Sequence, residues 1–315
     1  QLGNRLRAFT GLRLGPSVVF DHPSLSQLTA HIHEQLSEGA AAEPAPLGFA
    51  ALYHKLLRDK GPLEAMKLRV LGSYALPTFR TGRPITPTLL ARGGGPVLCY
   101  LPSYLTAGDP VPAALARQFD GEHDLLMLPY PGFGGSRAIP EDLDTLLRTQ
   151  ADAVLTAAMD RPVVLVGHCL GGVVAHALGA HLAARGRAPA GVVLIETDAS
   201  PSVRDDDRAL SLLADEQDLP AEWYDGTTAD ARIIAGGGYQ RMFEGLPPQP
   251  SPVPTLLLRA GPTPRMRRID PDRDWSVRWP LPHQAVDVPG DHDTVLTTDA
   301  PTTATAIRAW LATLC

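Results

Sequence analysis

Cysteine is scarce, with three in 315 residues, at 99, 169 and 315. That is too few and too dispersed for a disulfide framework or a zinc site of CxxC type, so each thiol needs its own reading. No apolar run approaches the roughly 20 residues of a membrane helix. No cluster of Lys and Arg is long enough to track a phosphate backbone, and the formal net charge is −6, which argues against nucleic acid as a partner. The basic N-terminus, QLGNRLRAFTGLRL, lacks the apolar core and cleavage site of a signal peptide, so the expected location is the cytoplasm. With 44% hydrophobic residues, the chain has enough apolar content for one substantial core plus a small appendage.

From Pro96 onward, short β-rich runs alternate with helical patterns. PVLCYL, DLLMLPY, PVVLVG, GVVLIE, PTLLLRA and AVDVPG read as strands. Their near-continuous Val and Leu implies burial on both faces, and their alternation with helices implies a mostly parallel sheet of the α/β class. Between Glu196 and Pro252 the alternation lapses into RALSLLADEQ and ADARIIAGGGYQRMFEGL. A helical insertion of about 50 residues, longer than an ordinary loop, reads as a lid at about 200–250. Its apolar and aromatic residues, Leu212, Leu213, Trp223, Tyr224, Tyr239 and Phe243, are expected to help line a substrate chamber.

Ahead of this region, GFAALYHKLLRDKG and PLEAMKLRVLGSYAL are two amphipathic patterns separated by a Gly-Pro break, within 48–95. Before them, apolar residues at helical spacing follow the helix-start signal HPS and end in the linker SEGAAAEPAP, at 38–47.

VVLVGHCLGGVVAHALGAHL reads as a strand, a tight Gly-flanked turn and a helix, with Cys169 at the apex. Small residues two before and two after the apex let strand and helix approach while the reactive atom projects above the sheet, as in a nucleophile elbow. A thiolate there is favoured by the unpaired N–H groups at the helix start and by an imidazole nearby. Cys99, inside PVLCYL, reads instead as a buried structural thiol, and Cys315 as inert.

His292, in VPGDHDTVL, lies after a strand and before the closing helix, where the base of such a site belongs. His168 is the rival by proximity, but it adjoins the nucleophile and its side chain is expected to point elsewhere. The orienting carboxylate follows the next strand, in GVVLIETDAS. Glu196 comes at the strand end, with Asp198 as the alternative or as a cap for the following helix. Oxyanion donors are expected from the backbone of Leu170 and from the loop CYLPSYLTAGDP, at Ser103 or its neighbour Tyr104, which also serves as a substrate contact. The loop YPGFGGS lacks a GK[ST] ending and reads as a plain loop rather than a phosphate cradle. No metal site is expected.

GHCLGG, GVVLIE, the pair Trp275 and Trp279 before AVDVPGDH, and the closing TAIRAWL together resemble the terminal thioesterase domains of modular polyketide synthases, such as those of the erythromycin and pikromycin synthases. The resemblance runs from about residue 48 to the end. Residues 1–37, with their FDHPS helix entry, resemble the last part of an acyl carrier protein, without the Asp-Ser-Leu motif that would hold phosphopantetheine.

The resemblance implies an α/β-hydrolase fold over 96–315 and leader helices that pair across a two-fold axis in a homodimer. It further implies a polyketide acyl chain arriving as a phosphopantetheine thioester on the carrier, with no cofactor in this chain. Release gives a lactone, a lactam or a free acid. Family members usually carry Ser where this chain has Cys169 and Asp where it has Glu196. Transfer from a carrier thiol to Cys169 exchanges one thioester for another, so the acyl-enzyme stays activated toward amines as well as alcohols. A stand-alone editing hydrolase and a catalytically silent docking module are the competing functions.

Overall fold

The computed structural model describes residues 48–81, 83–104, 112–133, 138–199, 207–215, 227–245 and 247–314, with isolated positions between 18 and 31. The chain divides into two compact units, 1–47 and 48–315. In the first, the Gln27 N–H donates to Ser24 Oγ at 3.2 Å and the Ser24 N–H donates to Gln27 Oε1 at 3.2 Å. This reciprocal box satisfies two donors that a helix start leaves without partners, at the place where HPS signals one. Most of the carrier-like segment, all of the linker and Cys315 lie outside the described residues.

The second unit opens with helices α1 (Phe49–Lys60) and α2 (Pro62–Ser73). Gly61, at φ 86°, makes the break: its N–H caps α1 by donating to Leu57, and Pro62 starts α2. The inner faces of the pair, Ala50, Tyr53, Leu57 and Ala65, pack against Ala229 and Ile233 of α7 (Thr227–Phe243). A Cβ at Gly237 would stand 2.1 Å from the Arg69 carbonyl oxygen, so α2 and α7 touch backbone to backbone. The leader thus packs on its own domain through one face, while Leu71 is 69% exposed.

Among the described residues the core is a sheet of seven strands, whose sequence-order numbers from the second to the ninth, the fifth excepted, run across it as 2-4-3-6-7-8-9. Its strands are β2 (Thr88–Ala91), β3 (Val97–Leu101), β4 (Leu125–Met127), β6 (Val163–His168), β7 (Gly191–Ile195), β8 (Thr255–Gly261) and β9 (Gln284–Asp291). All pairings are parallel except β2 with β4. A separate two-stranded ribbon joins β1 (Thr78–Phe79) to β5 (Ile139–Pro140).

Every residue of β3, β6 and β7 is buried, because helices cover both faces. On one face, α3 (Ala113–Phe119) and α9 (Ala300–Leu311) set Leu115, Phe119, Ile307 and Trp310 against Leu98, Val164, Val166 and Val193. On the other, α4 (Leu143–Ala158) and α5 (Leu170–Ala184) set Leu146, Val154, Val174 and Leu178 against Val97, Leu165 and Leu194. Cys99 is fully buried in that second layer, and desolvation pushes its thiol up to about 12, as suits a structural residue. Within the insertion, the described residues form α6 (Asp207–Asp215) and α7. The remaining helix, α8 (Pro264–Ile269), follows β8. Among the described residues, no helix is long and apolar enough to cross a membrane.

Candidate active site

The site sits at the C-terminal ends of the parallel strands, where loops of an α/β sheet converge. The Cys169 N–H donates to the Ile195 carbonyl at 2.9 Å, extending the β6–β7 ladder by one residue. The chain then turns at φ 53° into α5, with Leu170 as its first residue. Positive φ is costly for a side-chain-bearing residue and persists only where surroundings enforce it.

Two glycines enforce it here. A Cβ on Gly171 would meet the carbonyl oxygens of Leu101 and Pro102 at 2.2 and 2.4 Å, and one on Gly172 would meet Thr197 Oγ1 at 1.9 Å. Gly171 thereby brings the loop after β3, with Ser103 and Tyr104, against the Cys169 turn. Gly172 brings in the chain just after Glu196.

Glu196 follows β7 directly, and its N–H donates to the Leu258 carbonyl at 2.9 Å. It too takes positive φ, 51°, which lifts its side chain off the sheet. Its Oε1 accepts from the Ala260 N–H at 2.6 Å, and its Oε2 faces His292 Nδ1 at 3.5 Å. That separation is at the long limit for an N–H···O contact. Asp198 instead accepts from the Arg278 N–H at 3.3 Å.

His292 is carried on a loop fixed by Asp291, whose Oδ1 accepts from the N–H groups of Asp293 and Thr294 at 3.1 Å. Burial alone would depress the imidazole. The charge and hydrogen bond of Cys169 and then those of Glu196 overcome this and raise it to about 10. The ring therefore lies between thiol and carboxylate, whose charges favour its cationic form.

The His168 ring packs on His292, with centroids 4.6 Å apart. Strand alternation explains it: Val164, Val166 and His168 share the face covered by α9, and His292 leads into α9. Burial, then the His292 and Arg208 charges, hold His168 well below its ordinary value, so it is a neutral neighbour.

Ser103 and Tyr104 are both buried beside the turn. Burial and then the charge on Cys169 push the Tyr104 hydroxyl up. Tyr104 stacks on Phe243 at 5.4 Å and neighbours Tyr239 at 6.2 Å and Tyr130 at 6.3 Å, with Phe133 adjoining Tyr239 at 5.7 Å. Tyr239 donates to the Pro131 carbonyl at 2.6 Å. The structure thus brings Tyr239 and Phe243 to Tyr104, and it adds Tyr130 and Phe133 from the loop after β4. That loop carries no signal beyond its position at a strand's C-terminal end. Leu213 is buried and Leu212 half-buried on α6, while Trp223 and Tyr224 lie outside the described residues.

The residue that sequence reasoning missed is Arg208, on α6. It is buried and donates both to Glu196 Oε2 and to the Trp275 carbonyl. An arginine in an amphipathic helix reads as surface, so no local pattern marks it. Among the described residues, no group of three or more His, Cys, Asp and Glu is arranged to hold a metal ion.

A model of the Thioesterase domain family matches residues 113–311. The chain is 37% identical over 330 residues to the spectinabilin polyketide synthase system protein NorC of Streptomyces orinoci, covering 98% of this chain and 14% of that protein. It is 32% identical over 321 residues to an erythronolide synthase of Saccharopolyspora erythraea, covering 98% of this chain and 10% of that one. The chain therefore corresponds to a small part of each relative's length. Among solved structures, the NocB thioesterase domain from the nocardicin cluster is similar, with a TM-score of 0.54 and 24% identity, covering 72% of this chain and 99% of that one. A Vlm2 thioesterase domain bound with a dodecadepsipeptide has a TM-score of 0.51 and 21% identity, covering 71% of this chain and 96% of that one. At these identities the structural likeness speaks for the fold.

Proposed function

The chain belongs to the thioesterase domain family and has its α/β-hydrolase fold, and from that premise we propose that it releases a polyketide acyl chain through an acyl-Cys169 intermediate. The observation that supports this reading most is the convergence of Cys169, His292 and Glu196 at the ends of neighbouring strands, two of them at positive φ.

In this mechanism His292 takes the Cys169 proton, and the thiolate attacks the carbonyl of an acyl thioester borne on a carrier protein's phosphopantetheine. The tetrahedral oxyanion is held by the backbone N–H groups of Leu170 and Ser103. Leu170 suits this because, as the first residue of α5, its N–H has no intrahelical acceptor. The carrier thiol departs with the proton from His292, which leaves the chain on Cys169 as a thioester of nearly the same energy. His292 then deprotonates the second nucleophile, a hydroxyl or amine of the chain itself or a water. Collapse of the second tetrahedral adduct frees the macrolactone, macrolactam or acid and restores the thiol.

Glu196 steadies the imidazolium, and the aromatic residues Tyr104, Tyr239 and Phe243, with Trp223 and Tyr224, contact the acyl chain. The same reading takes residues 1–37 as the end of the carrier, 38–47 as a linker, 48–95 as the leader, and the working form as a cytoplasmic homodimer. The test is turnover of acyl-N-acetylcysteamine thioesters ending in a hydroxyl or an amine, with products separated by mass. Cyclic or hydrolysed products that vanish in Cys169→Ala are expected. Failure to consume any such thioester would overturn the proposal.

A further inference from the structure

The acid of the site has one more partner than a nucleophile–base–acid relay requires. Oε1 of Glu196 is committed to the Ala260 N–H, so the carboxylate has a single oxygen left for His292. Arg208 bonds to that same Oε2, while the His292 contact stands at 3.5 Å. Both members of the ion pair are buried, with side-chain exposures of 7% for Arg208 and 0% for Glu196. The arginine's other amino group donates to the Trp275 carbonyl and lies 3.8 Å from Met266 Sδ. Trp275 is itself tied down by its indole N–H on the Asp270 carbonyl at 2.9 Å. A guanidinium is a permanent cation with a rigid fork of donors, so it competes effectively for a shared carboxylate oxygen.

We propose that Arg208 is a positioning residue for the acyl-transfer site, anchoring Glu196 from helix α6 and dividing the carboxylate between itself and His292. The placement of the insertion helix then sets how fully the acid engages the base. This rests on the thioesterase reading above. The groups facing His292 are Cys169 from the nucleophile turn, Glu196 beyond β7 and His168 from β6, with Arg208 from α6 acting through Glu196. Asp291 and Asp293 flank it on its own loop. Removing Arg208 leaves His292 as the only cation on Oε2, which strengthens that pair. Removing a purely structural clamp would lower stability without altering the imidazole.

The experiment compares His292 titration by ¹⁵N-histidine NMR in Cys169→Ala and in Cys169→Ala/Arg208→Met. The alanine background removes the neighbour that holds His292 highest and brings its midpoint into an accessible range. The double variant is expected to titrate higher, by on the order of one pH unit. Arg208→Lys in the same background, which keeps the charge and loses the fork, is expected to fall between the two. In the Cys169 protein, Arg208→Met is expected to lower kcat toward an acyl-N-acetylcysteamine thioester about tenfold, with KM nearly unchanged. A His292 midpoint that is the same in both proteins, with only melting temperature reduced, would overturn the proposal. If Arg208→Met does not fold, the Arg208→Lys shift decides alone, its absence counting against the proposal. Absence of turnover in the parent would instead sink the release function and leave the titration comparison standing.

Discussion

Gly172→Ala perturbs the contact that binds the Cys169 turn to the loop after Glu196. The new Cβ would lie 1.9 Å from Thr197 Oγ1, 2.7 Å from its Cγ2 and 2.8 Å from its Cβ, and Thr197 is fully buried. Overpacking of this kind costs about 1–3 kcal/mol. At about 2–4 °C per kcal/mol for a domain of this size, melting should fall by roughly 2–12 °C. The relief available is specific, because two of the three clashing atoms are removed by Thr197→Ala. The double variant should therefore recover part of the loss, with a coupling energy of about 1 kcal/mol between sites in contact.

Gly171→Ala provides the contrast. Its Cβ would strike the backbone oxygens of Leu101 and Pro102, which no side-chain truncation removes. Calorimetry on the two single alanine variants, Thr197→Ala and the Gly172→Ala/Thr197→Ala double variant makes the comparison, alongside the rate of Cys169 alkylation by iodoacetamide. If Gly172→Ala melts with the parent, or if its loss and that of Thr197→Ala simply add, close packing at this glycine does not hold the turn in place.

Cys169→Ala should lower the His292 midpoint, since burial then acts against a weaker opposing charge, and NMR titration reads the shift. In the parent, the raised value means that His292-linked stability is present below its ordinary 6.5 and lost as pH rises through about 10. That contribution should be smaller in Cys169→Ala. Glu196→Gln should reduce turnover far more than Asp198→Asn, because Glu196 faces His292 Nδ1 while Asp198 accepts from the Arg278 N–H, and His292→Ala should lose about 10²- to 10⁴-fold. A larger loss from Asp198→Asn would mean that the acid is misassigned. Light scattering should report two chains per particle, and Leu71→Asp, on the open face of α2, should give monomer with unchanged melting. A dimer that persists in that variant would place the interface elsewhere.

What the sequence disclosed follows the strength of its patterns. The runs around Val97–Leu101, Val163–His168 and Gly191–Ile195 are legible because strands buried on both faces need unbroken apolar residues. β2 went unread: Thr88–Ala91 is half exposed and pairs antiparallel at the sheet edge, so it carries neither continuous burial nor a helix partner. The glycines around Cys169 were legible because close backbone approach leaves no alternative residue. Arg208 was not, since its role depends on α6 meeting the end of β7, a long-range packing event with no local signature. The place of the His168 ring on His292 was not legible, because alternation along β6 fixes its face but not its long-range neighbour. The leader helices were recognised as amphipathic, and the backbone contact at Gly237 shows which face the domain itself consumes.

Acylation of Cys169 is directly observable. Protein incubated with an acyl-N-acetylcysteamine thioester and quenched in acid should gain the acyl mass by intact mass spectrometry. Peptide mapping should place that mass on Cys169, and neutral hydroxylamine should remove it as it removes a thioester. Turnover that continues in Cys169→Ala, or an acyl group found on any other residue, would contradict the assignment of Cys169 as the nucleophile.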